Sequence, residues 1–305
     1  MSDILVIGEA LVDMIDQGDH RTFVAHPGGS PLNVAIAASR LGLDVALAAR
    51  FSADFIGQQL RAHALAYRLD LSRSVPATEH SSLAIVSVNG AGDAMYDFRL
   101  EGTADWQWTP AELASIRAAP PPLVHVGSIA SWQAPGAAVL LSAVRELGSV
   151  VSYDPNIRPQ LLSDLGAARD QVEQWVRVAT LAKASAEDIG WLYPGWPVED
   201  VAARWRSLGA RIVVVTLGPD GAYAAADTAV RVPAPPTSIV DTVGAGDAFT
   251  AALCAQLATR GVDGVLAELP AALAFAAGTA ALACERPGPS FPSRAEVEQR
   301  LHDPV

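Results

Sequence analysis

Short β-branched runs alternate with longer Ala- and Leu-rich segments of helical period along this 305-residue chain, and that rhythm constrains the fold more than any single residue does. The run at 4–7 is followed by a helical pattern over 31–41, and the run at 45–48 by one over 55–67. The run at 123–126 precedes a helical pattern over 135–147. Runs at 150–153 and 181–183 precede further helical patterns, and the run at 212–216 follows one. Strands joined in this way form a mainly parallel sheet with helices on both faces, so the expected fold class is a doubly wound α/β sandwich spanning 1–305 as one domain. Half of the residues are hydrophobic, enough to bury a core of that size.

Two stretches break the rhythm. Residues 11–15 and 22–25 flank the turn Gln17-Gly18-Asp19, and residues 82–88 and 94–99 flank Asn89-Gly90-Ala91-Gly92-Asp93. Both read as hairpins, near 11–26 and 81–100, and together they imply a separate small β-layer. A lid over an active site and a decorative edge both fit that pattern.

Charge excludes several classes of function. The formal net charge is −12 and Lys183 is the only lysine, so the clustered cations of a nucleic-acid surface are missing. The most apolar stretch, 271–284, is shorter than a membrane span and reads as a buried helix. Residues 4–7 read as a first strand rather than as a signal peptide. Cys254 and Cys284 lie in Ala-rich helical patterns without metal-ligand spacing, and reduced core cysteines of a cytoplasmic protein are the expectation.

The sharpest local feature is Asp241-Thr242-Val243-Gly244-Ala245-Gly246-Asp247-Ala248-Phe249-Thr250, which opens a helical pattern over 248–258. Gly244 and Gly246 allow a tight turn and close backbone approach. The helix start then offers unpaired N–H groups to an anion, such as a phosphoryl group in transfer. Asp247 at the mouth of this nest is either an N-cap or the base that takes a proton from an attacking hydroxyl. The helix dipole is expected to lower its pKa and make it a weak base. A Walker A loop is absent, since Lys183 follows Ala182, and the third glycine of a dinucleotide fingerprint is missing.

A second glycine-rich segment, Gly28-Gly29-Ser30-Pro31-Leu32-Asn33-Val34-Ala35, lies far upstream and is followed by Leu41-Gly42. Gly28 and Gly29 permit close approach, Ser30 is placed to cap the next helix and Pro31 suits its first turn. Asn33 then falls one turn in, where a buried amide calls for a partner. With these two motifs in this order, the chain resembles the ribokinase-like, or PfkB, carbohydrate kinases, most of all bacterial fructokinases. The resemblance covers essentially the whole chain. It implies that Asp13, Gly29 and Asn33 bind the sugar, that Asp247 is the base, and that Gly244, Ala245 and Gly246 form the anion hole.

Further segments extend the likeness. Residues 96–105, which end in Gly102-Thr103-Ala104-Asp105, are similar to the fructokinase region that reaches the substrate, with Arg99 and Asp105 as candidates; a solvated strand-edge pair is the other reading. Asp154-Pro155-Asn156-Ile157-Arg158 resembles a stretch of fructokinases and 2-keto-3-deoxygluconate kinases, in which Arg158 contacts substrate or phosphate or belongs to a structural turn. Thr216-Leu217-Gly218-Pro219-Asp220-Gly221 looks like the family's nucleotide loop, with Thr216, Gly218 and Gly221 at the ATP; taken alone it reads as a hairpin turn. One departure stands out: where many relatives have Asn-x-x-Glu, this chain has Ser185-Ala186-Glu187-Asp188. The resemblance gives Ser185 a place beside the nucleotide and Asp188 a contact with Mg2+ through water. It also implies a monovalent cation, K+, at Asp241 and the backbone of Val243.

The implied activity is transfer of the ATP γ-phosphoryl group to a sugar hydroxyl. Fructose is the first expectation, 2-keto-3-deoxygluconate the second, and ribose or a nucleoside the third. A sugar-binding regulator without catalysis is the alternative of a different class. Sugar and ATP are the expected ligands, a homodimer through the small sheet and a monomer both fit as the assembly, and neither nucleic acid nor membrane is an expected partner.

Overall fold

The runs rich in β-branched residues become strands that are buried on both faces, as the lack of polar alternation within them requires. A computed structural model describes residues 2–88, 94–162 and 164–302; the turn Asn89-Gly90-Ala91-Gly92-Asp93 lies outside the described residues. The chain begins with β1 (Ile4–Ile7), β2 (Leu11–Asp16), β3 (Phe23–Gly28), α1 (Ser30–Arg40), β4 (Val45–Ala48), β5 (Arg50–Ser52) and α2 (Phe55–Ala66). It continues through β6 (Val75–Ala77), β7 (Leu83–Val88), β8 (Ala94–Arg99), α3 (Ala114–Ala118), β9 (Leu123–Gly127), α4 (Gly136–Arg145), β10 (Val150–Asp154) and α5 (Leu165–Val176). Then come β11 (Leu181–Ser185), α6 (Ala186–Leu192), α7 (Val198–Leu208), β12 (Ile212–Thr216), β13 (Ala222–Ala225) and β14 (Ala229–Val232). The last helices are α8 (Ala245–Ala267), α9 (Leu269–Cys284) and α10 (Arg294–His302).

The large sheet has the order β14-β13-β12-β11-β10-β9-β1-β4. Strands β4 through β12 in that order pair in parallel, while β13 and β14 add an antiparallel edge. Strand alternation splits the core into two layers. Ile4 and Val6 of β1 pack with α1, α8 and α9, whereas Leu5 and Ile7 pack toward the side that holds α4, α5 and α7. Each fully buried aliphatic side chain of this kind contributes about 1.5–3 kcal/mol. The expected doubly wound α/β sandwich is therefore the observed one. No helix among the described residues is long and apolar enough to cross a membrane.

A second sheet has the order β3-β2-β7-β8. Its outer pairs, β2–β3 and β7–β8, are antiparallel, and its inner pair, β2–β7, is parallel. It joins the main sheet where β1 runs into β2, at the carboxyl end of β1. Ligand sites in open α/β sheets gather at that edge.

Two helix starts differ from the sequence expectation. Ser30 does not cap α1: the N-cap is Gly29, at φ 100°, and Ser30 is the first helical residue. Helix α8 starts at Ala245 rather than at 248 and runs to Ala267 through a non-helical Gly261. A left-handed glycine fits each of these caps because a Cβ there would be strained.

Candidate active site

Helices α1 and α8 pack together so that their N-terminal turns face each other. The N-cap of α8 is Gly244 at φ 80°, without a side-chain cap. Asp247 lies in the first turn, yet its carboxylate crosses to α1 instead of capping its own helix. Ser30 Oγ donates to Asp247 Oδ1 at 2.6 Å, and Asn33 Nδ2 donates to Oδ2 at 2.8 Å. The buried amide of Asn33 thus has the partner it required. These donors fix the carboxylate plane and leave lone pairs on both oxygens.

The acidity of Asp247 departs from the sequence expectation. Burial pushes its pKa up, outweighing the Ser30 and Asn33 hydrogen bonds and the charge of Lys183, while Asp154 pushes in the same direction as burial. The helix dipole does not make this carboxylate a weak base: at 8% exposure, desolvation dominates. A raised pKa improves its capacity to take a proton.

Below Asp247 the sheet turns polar. Residues of β9, β10 and β11 that face α8 include His125, Ser152, Asp154 and Lys183, and His125 pairs with Ser152 at 3.1 Å. Lys183 Nζ donates to Asp154 Oδ2 at 2.8 Å, and Thr250 Oγ1 of α8 donates to the same oxygen at 2.9 Å. Burial pulls the Lys183 pKa down, but the Asp154 charge and hydrogen bond, with Asp188 and Asp247, raise it overall. In the sequence, Lys183 serves only to dismiss a nucleic-acid surface and a Walker A loop. Its signal was a lone cation inside an apolar strand, which has meaning only once Asp154 is known to be its neighbour.

A groove of about 1010 Å3 runs from this floor along the carboxyl ends of β11 and β12. Thr216, Gly218 and Gly221 form one wall, and Gly244, Ala245, Gly246 and Asp247 form its inner end. Ala234, Pro235 and Pro236 supply part of the lining, as do Ile239 and the half-buried Cys284. The Ala245 N–H donates to the Thr242 carbonyl at 3.2 Å, whereas the Gly246 N–H has no hydrogen-bond acceptor among the described residues. An elongated anionic ligand with an apolar end suits this groove.

Ser185 and Asp188 also line the groove, and they form a reciprocal capping box at the start of α6. Asp188 Oδ2 accepts from the Ser185 N–H at 2.8 Å and from Ser185 Oγ at 2.7 Å, and Oδ1 accepts from the Ile157 N–H at 2.7 Å. Asp188 is thus already satisfied by the protein, so its remaining lone pairs suit a metal held through water better than one bound directly. Arg158 lines the groove as well, and its guanidinium donates to Asn156 Oδ1 at 2.7 Å. Asp241 accepts from the Val243 N–H at 3.0 Å and from the Gly288 N–H at 2.9 Å, so its carboxylate organises the loop that leads into α8.

Beyond Asp247, toward the small sheet, lies a cluster of polar groups around Asp13. A Cβ on Gly28 would meet Asp13 Oδ2 at 2.2 Å, and one on Gly29 would meet the Glu9 carbonyl oxygen at 2.8 Å. The missing side chains therefore let β2 and the start of α1 close on each other. Burial lifts the Asp13 pKa to about 6, against the pull of Arg158 and His26 and with the push of Asp247. Asp13, Gly29, Asn33, Arg158 and Asp247 thus come together.

Arg99 and Asp105 do not join them. Asp13 shares its sheet face with Ala84 and Phe98, so Arg99, next along β8, lies on the opposite face, paired with Asp97 in solvent. Asp105 is 1% exposed, and its carboxylate accepts from the Ala10 N–H at 2.9 Å and from Ser82 Oγ at 2.5 Å. It ties the start of β2 to the segment that leads into β7. Burial raises its pKa to about 6, and that of neighbouring Glu9 to about 7.

A helix-start anion nest, a buried carboxylate beside it and a cluster of polar groups behind that carboxylate suit a site for moving a phosphoryl group onto a hydroxyl. The chain belongs to the pfkB family carbohydrate kinases, whose family model matches residues 1–296. It is 33% identical over 310 residues to a fructokinase of Klebsiella pneumoniae, covering 98% of this chain and 99% of that one. It is 34% identical over 260 residues to a fructokinase of Rhizobium leguminosarum bv. trifolii, covering 83% of this chain and 79% of that one. Among solved structures, a double mutant of the fructokinase from Vibrio cholerae O395, with fructose, ADP and potassium bound, superposes with a TM-score of 0.86 at 26% identity and 97% coverage of both chains.

Proposed function

We propose that this chain is an ATP-dependent fructokinase. The observation that carries the reading is Asp247, which lines the groove beside the anion nest of α8 and is held from the other side by Ser30 and Asn33 of α1. ATP lies in the long groove, with its base toward Ile239 and Ala234–Pro236 and its phosphates at Gly244, Ala245 and Gly246. Fructose lies at the polar cluster beyond Asp247, where Asp13 and Asn33 orient its hydroxyls. Asp247 takes the proton of the attacking hydroxyl as the phosphoryl group is transferred. The N–H groups of the α8 turn hold the charge that spreads over the equatorial oxygens. The Ala245 N–H must release the Thr242 carbonyl to take part, and the Gly246 N–H is free to act at once.

Mg2+, held through water near Asp188 with the exposed Glu187 close by, would neutralise the phosphates. K+ near Asp241 and the carbonyl of Val243 would fix the loop ahead of α8. The small sheet acts as a lid whose closure excludes water from the reacting phosphate. Its exposed Phe23, Val24, Met95 and Tyr96 suit pairing with a second copy. The chain works as a single kinase domain in the cytoplasm.

Arg158 supports a second reading. It lies close enough to Asp13 to lower its pKa, and a guanidinium there would pair with the carboxylate of 2-keto-3-deoxygluconate. Coupled ADP release with Mg-ATP and a panel of fructose, 2-keto-3-deoxygluconate, ribose and adenosine tests both. Turnover on fructose at least tenfold above the rest is expected. A preference for the keto acid favours the second reading, and sugar binding without any turnover favours a regulator.

A further inference from the structure

We propose that Lys183 is a catalytic residue: its ammonium group contacts the phosphoryl group in transfer and remains with it through the reaction. The inference rests on the kinase reading above. Lys183 is 4% exposed, yet it lines the groove beside Gly246 and Asp247. An ammonium has three N–H donors, and the only acceptor it meets among the described residues is Asp154 Oδ2. Thr250 holds that oxygen from the α8 side, so the pair is anchored on both the sheet and the helix. Asp154 Oδ1 is buried and has no hydrogen-bond partner among the described residues.

What remains of the ammonium faces the nest. A Cβ on Gly246 would come within 3.4 Å of Lys183 Nζ, so the glycine that frees the nest also opens the way to the lysine. The nest alone offers only the partial charges of N–H groups. Asp188, the nearby carboxylate suited to recruiting a metal, is occupied by Ser185 and Ile157. A fixed ammonium at the floor adds a direct charged contact to what the nest and a metal held through water would provide. In the step itself, the bond between the β–γ bridging oxygen and the γ-phosphorus breaks and the bond from the sugar oxygen to that phosphorus forms. The hydroxyl proton passes to Asp247, and Lys183 donates hydrogen bonds without giving up a proton.

A merely structural lysine would neutralise Asp154 and do nothing else, and the two roles separate experimentally. The chain has a single lysine, so labelling with 13Cε/15Nζ-lysine gives one side-chain signal. That signal is expected to shift when β,γ-methylene-ATP binds and to move much less with ADP. Lys183→Met is expected to lower kcat by about 100-fold. It should weaken β,γ-methylene-ATP about tenfold, the loss of one charge-assisted contact, with ADP affinity changed by less than about twofold. Removing both charges, in Lys183→Met with Asp154→Asn, keeps the fold and does not restore turnover. The proposal is overturned if the double variant regains wild-type turnover, if both nucleotides weaken equally, or if the lysine signal ignores the γ-phosphate. A wild-type chain that phosphorylates no sugar would sink the kinase reading instead, and the lysine signal would still decide the contact.

Discussion

Helices α1 and α8 begin alike and do different work. Each opens at a glycine with positive φ, Gly29 at 100° and Gly244 at 80°, and neither has a side-chain cap. At α1 the first turn spends its side chains outward, with Ser30 and Asn33 gripping a carboxylate of the other helix. At α8 the first turn leaves a backbone N–H without an acceptor among the described residues and presents that carboxylate. One start is a clamp and the other is an anion nest, and Asp247 belongs to both. A glycine cap frees a helix start from local hydrogen bonding, and the residues one turn later decide what the freedom is used for.

Short of removing Asp247 itself, the largest expected effect is at the clamp. Asn33→Ala removes a hydrogen bond to a buried carboxylate, a loss of about 1.5–3 kcal/mol. It should lower kcat/KM roughly 10- to 100-fold and lower the melting temperature by several degrees. Steady-state kinetics that matched wild type would mean that the clamp does not serve the nest.

Glu9 sharpens the same comparison from behind the clamp, since it packs against Gly29 and its Oε2 accepts from the Ala130 N–H at 3.1 Å. Its pKa is lifted by burial from 4.5 to about 7, and Asp13 and Asp105 are lifted by burial to about 6. Between these ordinary and raised values the folded chain holds more protons than the unfolded one. Stability from these groups is therefore full below about pH 4 and is lost as pH rises toward 7, by on the order of 3 kcal/mol for Glu9. Glu9→Gln should flatten the fall of melting temperature between pH 5 and 7.5. An unchanged slope would place the titration elsewhere. The smallest effect is expected at Arg99, exposed and paired with Asp97 on the far face of the small sheet. Arg99→Ala should leave kcat/KM within about twofold, and a larger loss would mean that this face meets the substrate.

The same comparison explains what the sequence made legible. The parallel strands were readable because runs such as Ile4–Ile7 and Ile212–Thr216 are apolar without alternation, which only a doubly covered sheet tolerates. Both glycine-rich helix starts were readable because glycines beside a helical pattern have few other uses. Lys183 was not readable as a site residue, because its meaning comes from register: β11 places it beside Asp154 of β10, and α8 adds Thr250. The positions of Arg99 and Asp105 relative to Asp13 were not readable for a related reason. Alternation along β8 is visible in the sequence, but which face meets Asp13 depends on pairing with β7 and β2. Asp105 looks like any polar residue after a strand until Ala10 and Ser82 are seen to enclose it. The acidity of Asp247 was misjudged because a helix start is visible in sequence and burial is not.

The most direct test is Asp247→Asn, assayed for turnover of fructose with Mg-ATP and, by calorimetry, for fructose binding. The amide keeps the size of the side chain and removes its ability to take a proton. The account predicts a fall in kcat of about 1000-fold, with the fructose dissociation constant changed by only a few-fold. Turnover that survived undiminished would contradict it, since the carboxylate shared by the two helix starts would then not be the base.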